Sequence, residues 1–191
     1  CAMQHTDELG LLIGFPLPGW TTPARPPKTP MLGRTCRVEP LDVEKHAAEL
    51  FAANQQDHEN RIWAYLAYGP FSDLASYRAW MEKTCLGPDP MFHAIVDLVT
   101  EKAVGVASYL RIDPPAGSIE VGLINYAPPM QRSIAATEAM YLMMRRVFEL
   151  GYRRYEWKCD NANARSRRSA ERLGFTFEGV FRQCTFYKGR N

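Results

Sequence analysis

The run Asp160-Asn-Ala-Asn163-Ala-Arg-Ser166, with Leu173-Gly174-Phe175 close behind, gathers hydrogen-bonding side chains at the start of a short helical pattern. Asn163 or Asp160 can cap that helix, which puts Ser166 in its first turn, and Gly174 stops it. A second concentration of polar groups is Gln131-Arg132-Ser133-Ile134-Ala135-Ala136, where a strand-like run gives way to the strongest helical pattern of the chain. The free amides that open a helix attract phosphate, so this turn is a candidate anion cradle. A third is aromatic. Trp63, Tyr65 and Tyr68 lie in a turn-rich segment from Asp57 to Gly69, where they can wall in an amine-bearing group or simply pack. Arg165, Arg168 and Arg172 share one helix face, as solvated surface or as partners for a phosphate or an acidic protein.

Elements must hold these groups in place. Residues 14–33 carry six prolines and favour extended or polyproline geometry over helix or sheet, so 1–32 is expected to be an arm. Its Phe15 and Trp20 can dock on the core or on another subunit. From Gly33 to Leu41 the pattern predicts a first strand. Asp42 then caps a helix to about Asn54 with Val43, Ala47, Leu50 and Phe51 on its apolar stripe, and a second helix follows Ser72. Runs at 92–99, 104–112 and 119–125 predict an antiparallel meander, with turns at 100–102 and 114–117. A helix over 133–150 repeats Ala136, Met140, Met143, Val147 and Leu150 near 3.6-residue spacing and stops at Gly151. A strand from Tyr155, a helix, and a last strand alternating Phe175 and Phe177 complete the order. That succession predicts an α/β (α+β) domain over 33–191, a mixed and mostly antiparallel sheet with helices on both faces.

Taken together, the order of elements and the stretch from Tyr155 to Gly179 resemble an acyl-CoA-dependent N-acetyltransferase of the GNAT superfamily. Thr137-Glu138-Ala139 and the Asn-x-x-Ser…Leu-Gly-Phe pattern resemble its branch of ribosomal-protein alanine acetyltransferases, the RimJ/RimL type. The resemblance implies a splay between the fourth and fifth strands (119–125 and from 155) that receives the pantetheine arm of coenzyme A. It implies that Gln131, Arg132, Ser133, Ile134, Ala135 and Ala136 cradle the diphosphate, and that a backbone N–H among Leu123, Ile124 and Asn125 stabilises the oxyanion. Asn163 would face the pantetheine, and Ser166 would lie near the sulfur and serve as proton donor. The helix register that often holds a donor tyrosine in this superfamily falls on Ala170, and Ile134 stands where glycine is commonest.

Acetyl transfer to an amine needs a neutral nitrogen, an oxyanion donor and a stabilised thiolate, but no covalent residue. Glu120 is the expected base, with His93 and Asp97 as weaker candidates. At pH 7 an α-amine of pKa about 7.7 to 8.0 is roughly one-tenth neutral, a lysine of about 10.4 under a thousandth. A site without a strong base therefore suits a protein or peptide N-terminus, with polyamines and aminoglycosides as alternatives. Trp63, Tyr65 and Tyr68 would contact this acceptor.

Composition bounds the rest. The 191 residues, 46% hydrophobic and 23% charged, suit one core. A formal charge of +2 gives no reason to expect a nucleic-acid partner. Five scattered cysteines lack zinc-ligand spacing, so reduced thiols, no metal and a cytoplasmic location are expected. No run suits a signal peptide or a membrane helix. The ending at Lys188-Gly-Arg-Asn191 reads as a hairpin turn, with the following strand expected from an absent segment or from a second copy in a homodimer. Two other readings stay open: a non-enzymatic coenzyme A-binding module, and a phosphate- or nucleic-acid-binding domain.

Overall fold

The computed structural model describes residues 5–190. Two short exposed strands, β1 (His5–Thr6) and β2 (Leu12–Ile13), pair with each other at the start of the arm. The main sheet has six strands in sequential order: β3 (Met31–Leu32), β4 (Cys36–Pro40), β5 (Met91–Asp97), β6 (Lys102–Asp113), β7 (Ser118–Tyr126) and β8 (Arg154–Trp157). All neighbours are antiparallel except β7 and β8, which are parallel and joined through a crossover helix. The last two residues before Gly33 thus form a sheet strand, although the proline-rich run predicted none. Met31 and Leu32 keep their N–H groups, and a ladder can begin as soon as the prolines end.

Local chemistry explains where the helices start. Asp42 accepts from Lys45 N at 3.0 Å to open α1 (Val43–Asn54), and Asp73 from Ser76 N at 2.7 Å to open α2 (Leu74–Thr84). Ser133 accepts from Ala136 N at 3.0 Å to open α3 (Ile134–Glu149), and Asn163 from Ser166 N at 3.1 Å to open α4 (Ala164–Arg172). Each such cap stabilises its helix by about 1 kcal/mol.

The period-two alternation of the central strands feeds two apolar layers. Phe92, Ala94 and Val96 of β5 join Leu50, Tyr77 and Met81 of α1 and α2 on one face, while Met91 and Ile95 join Met140, Met143 and Val147 of α3 on the other. Helices therefore cover both faces. Glu138 of α3 ties its layer to the sheet edge: it accepts from the amides of Arg34, Thr35 and Cys36 and from the Thr35 hydroxyl. Although burial works the other way, those bonds, the hydroxyl's first, hold its carboxyl down at about 2.

The expected strand through Phe175 and Phe177 does not form. Phe175 packs on Tyr155 and Trp157, with ring centroids 5.5 and 5.6 Å away, but Phe177 is exposed, and residues 173–186 contain no strand. Alternation alone makes no ladder; a strand needs a partner whose amides face it, and the outer edge of β8 has none among the described residues. The turn expected near the end does form: Tyr187 and Arg190 exchange both backbone hydrogen bonds, with Lys188 (φ 49°) and Gly189 (φ 74°) left-handed between them. Asn191 and Cys1 lie outside the described residues.

One buried group sets an acid limit. His93 of β5 is fully buried edge-on to Tyr109, neither ring nitrogen has a partner, and burial pushes its pKa down to about 4. The unfolded chain, with a histidine near 6.5, then binds more protons as pH falls through the interval between the two values, so stability present above 6.5 drains away on acidification. We expect urea unfolding to show about 2 kcal/mol lost between pH 7 and pH 5, before the carboxylates protonate. A His93→Leu variant should flatten that slope; equal slopes would remove His93 as its source.

Candidate active site

The pairing of β7 with β8 runs from Ser118↔Arg154 to Val121↔Trp157 and stops there. β7 continues to Tyr126, so Gly122 to Tyr126 face a side on which β8 no longer follows. On its other side β7 is also interrupted. Val106 pairs with Asn125 and Ser108 with Gly122, which leaves Leu123 and Ile124 opposite Ala107 alone. Leu123 takes the left-handed conformation, φ 51°, as the extra residue of a bulge does. A leucine there costs on the order of 1 kcal/mol, and such strain persists only where its surroundings over-determine it. Asn125 is buried on the α1 side, where its amide donates to Asn54 Oδ1 at 3.3 Å.

At the end of β7, a single turn over Pro128–Met130 leads into α3. Gln131 Nε2 donates to Tyr126 O at 3.0 Å, and Arg132 sits at φ 58°. Ile134, the bulky residue at the helix start, is 77% exposed, whereas Ala135 and Ala136 are buried. The side chain at 134 is thus turned to solvent, and the first-turn backbone of α3 is flanked by small residues.

Beyond β8 the turn is held by Asp160, which accepts from Ala162 N at 2.8 Å and from the Tyr187 hydroxyl at 2.6 Å. Asn163 caps α4, and Ser166 in its first turn accepts a hydrogen bond from Trp157 Nε1 at 2.9 Å. Trp157 was not among the residues singled out in the sequence. Nothing in a nine-residue separation across a turn announces that contact.

The aromatic segment spans the parting. The Tyr68 hydroxyl donates to Leu123 O at 3.2 Å on β7, and the Tyr65 hydroxyl to Ala162 O at 3.2 Å on the far side. Trp63 supports this span from beneath. It is buried, meets Tyr68 and Phe71 edge-on at 5.8 and 5.6 Å, and lies so close to Gly69 that a Cβ there would fall 2.4 Å from the ring. Trp80 stacks on Tyr68 at 4.2 Å. Lys188, also unforeseen, donates to the carbonyls of Trp63 (2.8 Å) and Tyr68 (3.2 Å), and Arg190 donates to that of Ala64.

Glu120 lies at 2% exposure just before the parting. Arg111 grips both its oxygens, at 2.7 and 2.6 Å, and Lys158 adds a bond of 2.7 Å. Through these bonds Glu120, the base expected from sequence, ties β6, β7 and the end of β8 together. Asp97 caps the turn after β5 through Val99 N and Thr100 N, and His93 is sealed in the core; neither reaches the parting. Among the described residues no group of three or more His, Cys, Asp or Glu side chains could hold a metal ion, and no helix is long and apolar enough to cross a membrane.

The parallel pair of the sheet thus opens beside the start of a capped helix and under an aromatic segment, the arrangement expected from the resemblance to N-acetyltransferases. The comparisons agree. A family model for the acetyltransferase (GNAT) domain matches residues 37–176. A GCN5-related N-acetyltransferase from Brucella melitensis is 44% identical, with a TM-score of 0.89 over 92% of this chain and 80% of that one. A protein described as a probable acetyltransferase of the GNAT family, from Chromobacterium violaceum ATCC 12472, is 36% identical, with a TM-score of 0.87 over 95% and 91%. RimL, a ribosomal L7/L12 α-N-protein acetyltransferase, shares the fold at 19% identity, with a TM-score of 0.65 over 84% and 88%. No curated protein matches. The chain belongs to the GNAT acetyltransferase family, whose members use acetyl-CoA to acetylate amines.

Proposed function

We propose that this acetyltransferase moves the acetyl group of acetyl-CoA to the α-amine of a protein or peptide N-terminus, as the RimJ/RimL-type branch does, by direct attack and with no covalent enzyme intermediate. The observation that carries this reading is the β7–β8 pairing that stops at Val121↔Trp157 while β7 runs on. Pantetheine enters that parting, with Asn163 facing it. The diphosphate rests on the backbone from Gln131 to Ala136, where the outward Ile134 leaves the helix start open.

The acceptor enters beneath Tyr65 and Tyr68. Its neutral nitrogen attacks the thioester carbonyl, the C–N bond forms, and the C–S electron pair departs with sulfur. A backbone N–H among Leu123, Ile124 and Asn125, on the stretch of β7 beyond its pairing with β8, receives the negative charge on oxygen. Ser166 passes a proton to the sulfur, and the proton given up by the nitrogen restores the balance. With Glu120 engaged by Arg111 and Lys158, an amine that is already partly neutral at pH 7 is the better-suited acceptor.

Binding and turnover test this separately. Acetyl-CoA at a hundredfold its dissociation constant should stabilise the protein by about 2.7 kcal/mol, read as a rise in melting temperature. Thiol release should then be faster with N-terminal peptides than with polyamines or aminoglycosides. The reverse order would reassign the acceptor, and no stabilisation by acetyl-CoA would remove the cleft from the reading.

A further inference from the structure

We propose that Trp157 is a positioning residue that aims the Ser166 hydroxyl proton into the β7–β8 parting and raises its readiness to leave. The inference rests on the reading of Ser166 above, and it follows from how that hydroxyl is bonded. An indole N–H is a donor only, so the 2.9 Å bond from Trp157 Nε1 occupies a lone pair on Ser166 Oγ and leaves its proton free. Among the described residues no hydrogen bond runs from Ser166 Oγ to another group.

A serine inside a helix can instead turn its proton back to the carbonyl four residues earlier. Ser169, one turn on in the same helix, does this, donating to Arg165 O at 3.0 Å. Four residues before Ser166 the carbonyl is that of Ala162, which precedes the Asn163 cap and so lies outside the helix, and the Tyr65 hydroxyl donates to it at 3.2 Å. The Ser166 backbone is fixed independently, since its N–H donates to Asn163 Oδ1.

Trp157 is itself held on two sides. It is the last residue of β8 paired to β7, and its ring meets Phe175 edge-on at 5.6 Å. The indole therefore stands where the strands part and cannot follow the serine elsewhere. Chemically, as the C–S bond breaks and sulfur takes the Ser166 proton, negative charge builds on Oγ until the proton released by the acceptor nitrogen replaces it. A donor aimed at Oγ stabilises that charge, while a second acceptor in its place would not.

Trp157→Phe keeps an aromatic ring at this position and deletes the N–H. We expect kcat to fall roughly tenfold with KM for acetyl-CoA within about twofold, and no further loss when the change is made in a Ser166→Ala background. A readout independent of turnover is the thiol of bound coenzyme A, followed by the ultraviolet absorbance of its thiolate. Its titration should move to higher pH in both single variants. Parent kcat in Trp157→Phe, or an undiminished loss in the Ser166→Ala background, overturns the inference and leaves Trp157 as packing, with the Ser166 reading intact. Parent kcat in Ser166→Ala overturns both.

Discussion

Ser166→Ala should lower kcat about a hundredfold, the lower end of what a positioned proton donor contributes. The fall is expected in kcat and kcat/KM alike, because the hydroxyl acts as the thiolate leaves rather than when acetyl-CoA binds. Two features make the variant clean. The cap of α4 uses the Ser166 amide and the Asn163 side chain, so removing the hydroxyl leaves the helix start intact. The group left without a partner is Trp157 Nε1, on a half-buried ring that solvent can reach in part. Stability should change by no more than about 1 kcal/mol. Steady-state thiol release with the best N-terminal peptide decides it: a rate within about threefold of the parent removes Ser166 from proton transfer.

Trp63→Ala should cost about 3–5 kcal/mol, a large share of the stability of a domain this size. The ring is 4% exposed, with Tyr68 and Phe71 on its edges and Gly69 closed onto it, so its removal opens a void no neighbour can fill without moving the turn. The turn carries the Tyr68 hydroxyl that bonds Leu123 O, so acceptor KM should rise several-fold while KM for acetyl-CoA holds. Urea unfolding and a split of the two KM values measure this, with Trp63→Phe expected to recover most of both. A loss under about 1 kcal/mol would mean the segment is a loose cover rather than a braced one.

Those two sites were legible to different degrees. Ser166 and Asn163 stand in a local pattern whose capping geometry is written over four residues, and the structure places them at a helix start as expected. Sequence groups Trp63, Tyr65 and Tyr68 in one turn-rich segment as a wall or as packing, and the fold gives them different surroundings. Trp63 is buried support, while Tyr65 and Tyr68 reach the two sides of the parting. Glu120 is the base expected from its place on the strand. Its cations come from positions nine and thirty-eight residues away, and no alternation pattern reports such partners.

The sequence by itself determined the order of elements from β4 to α4, the approximate start of each helix among them, the antiparallel meander and the family, because caps, periodicity and turn residues act over a few positions. Only the tertiary structure decided that β8 leaves β7 after Val121, that Leu123 is the left-handed residue of a bulge, that Phe177 joins no strand, and that an indole holds the serine. Each of these depends on which backbone or side chain arrives from elsewhere in the chain, and hydrogen-bond partners brought together by folding leave no periodic trace in the residues that meet.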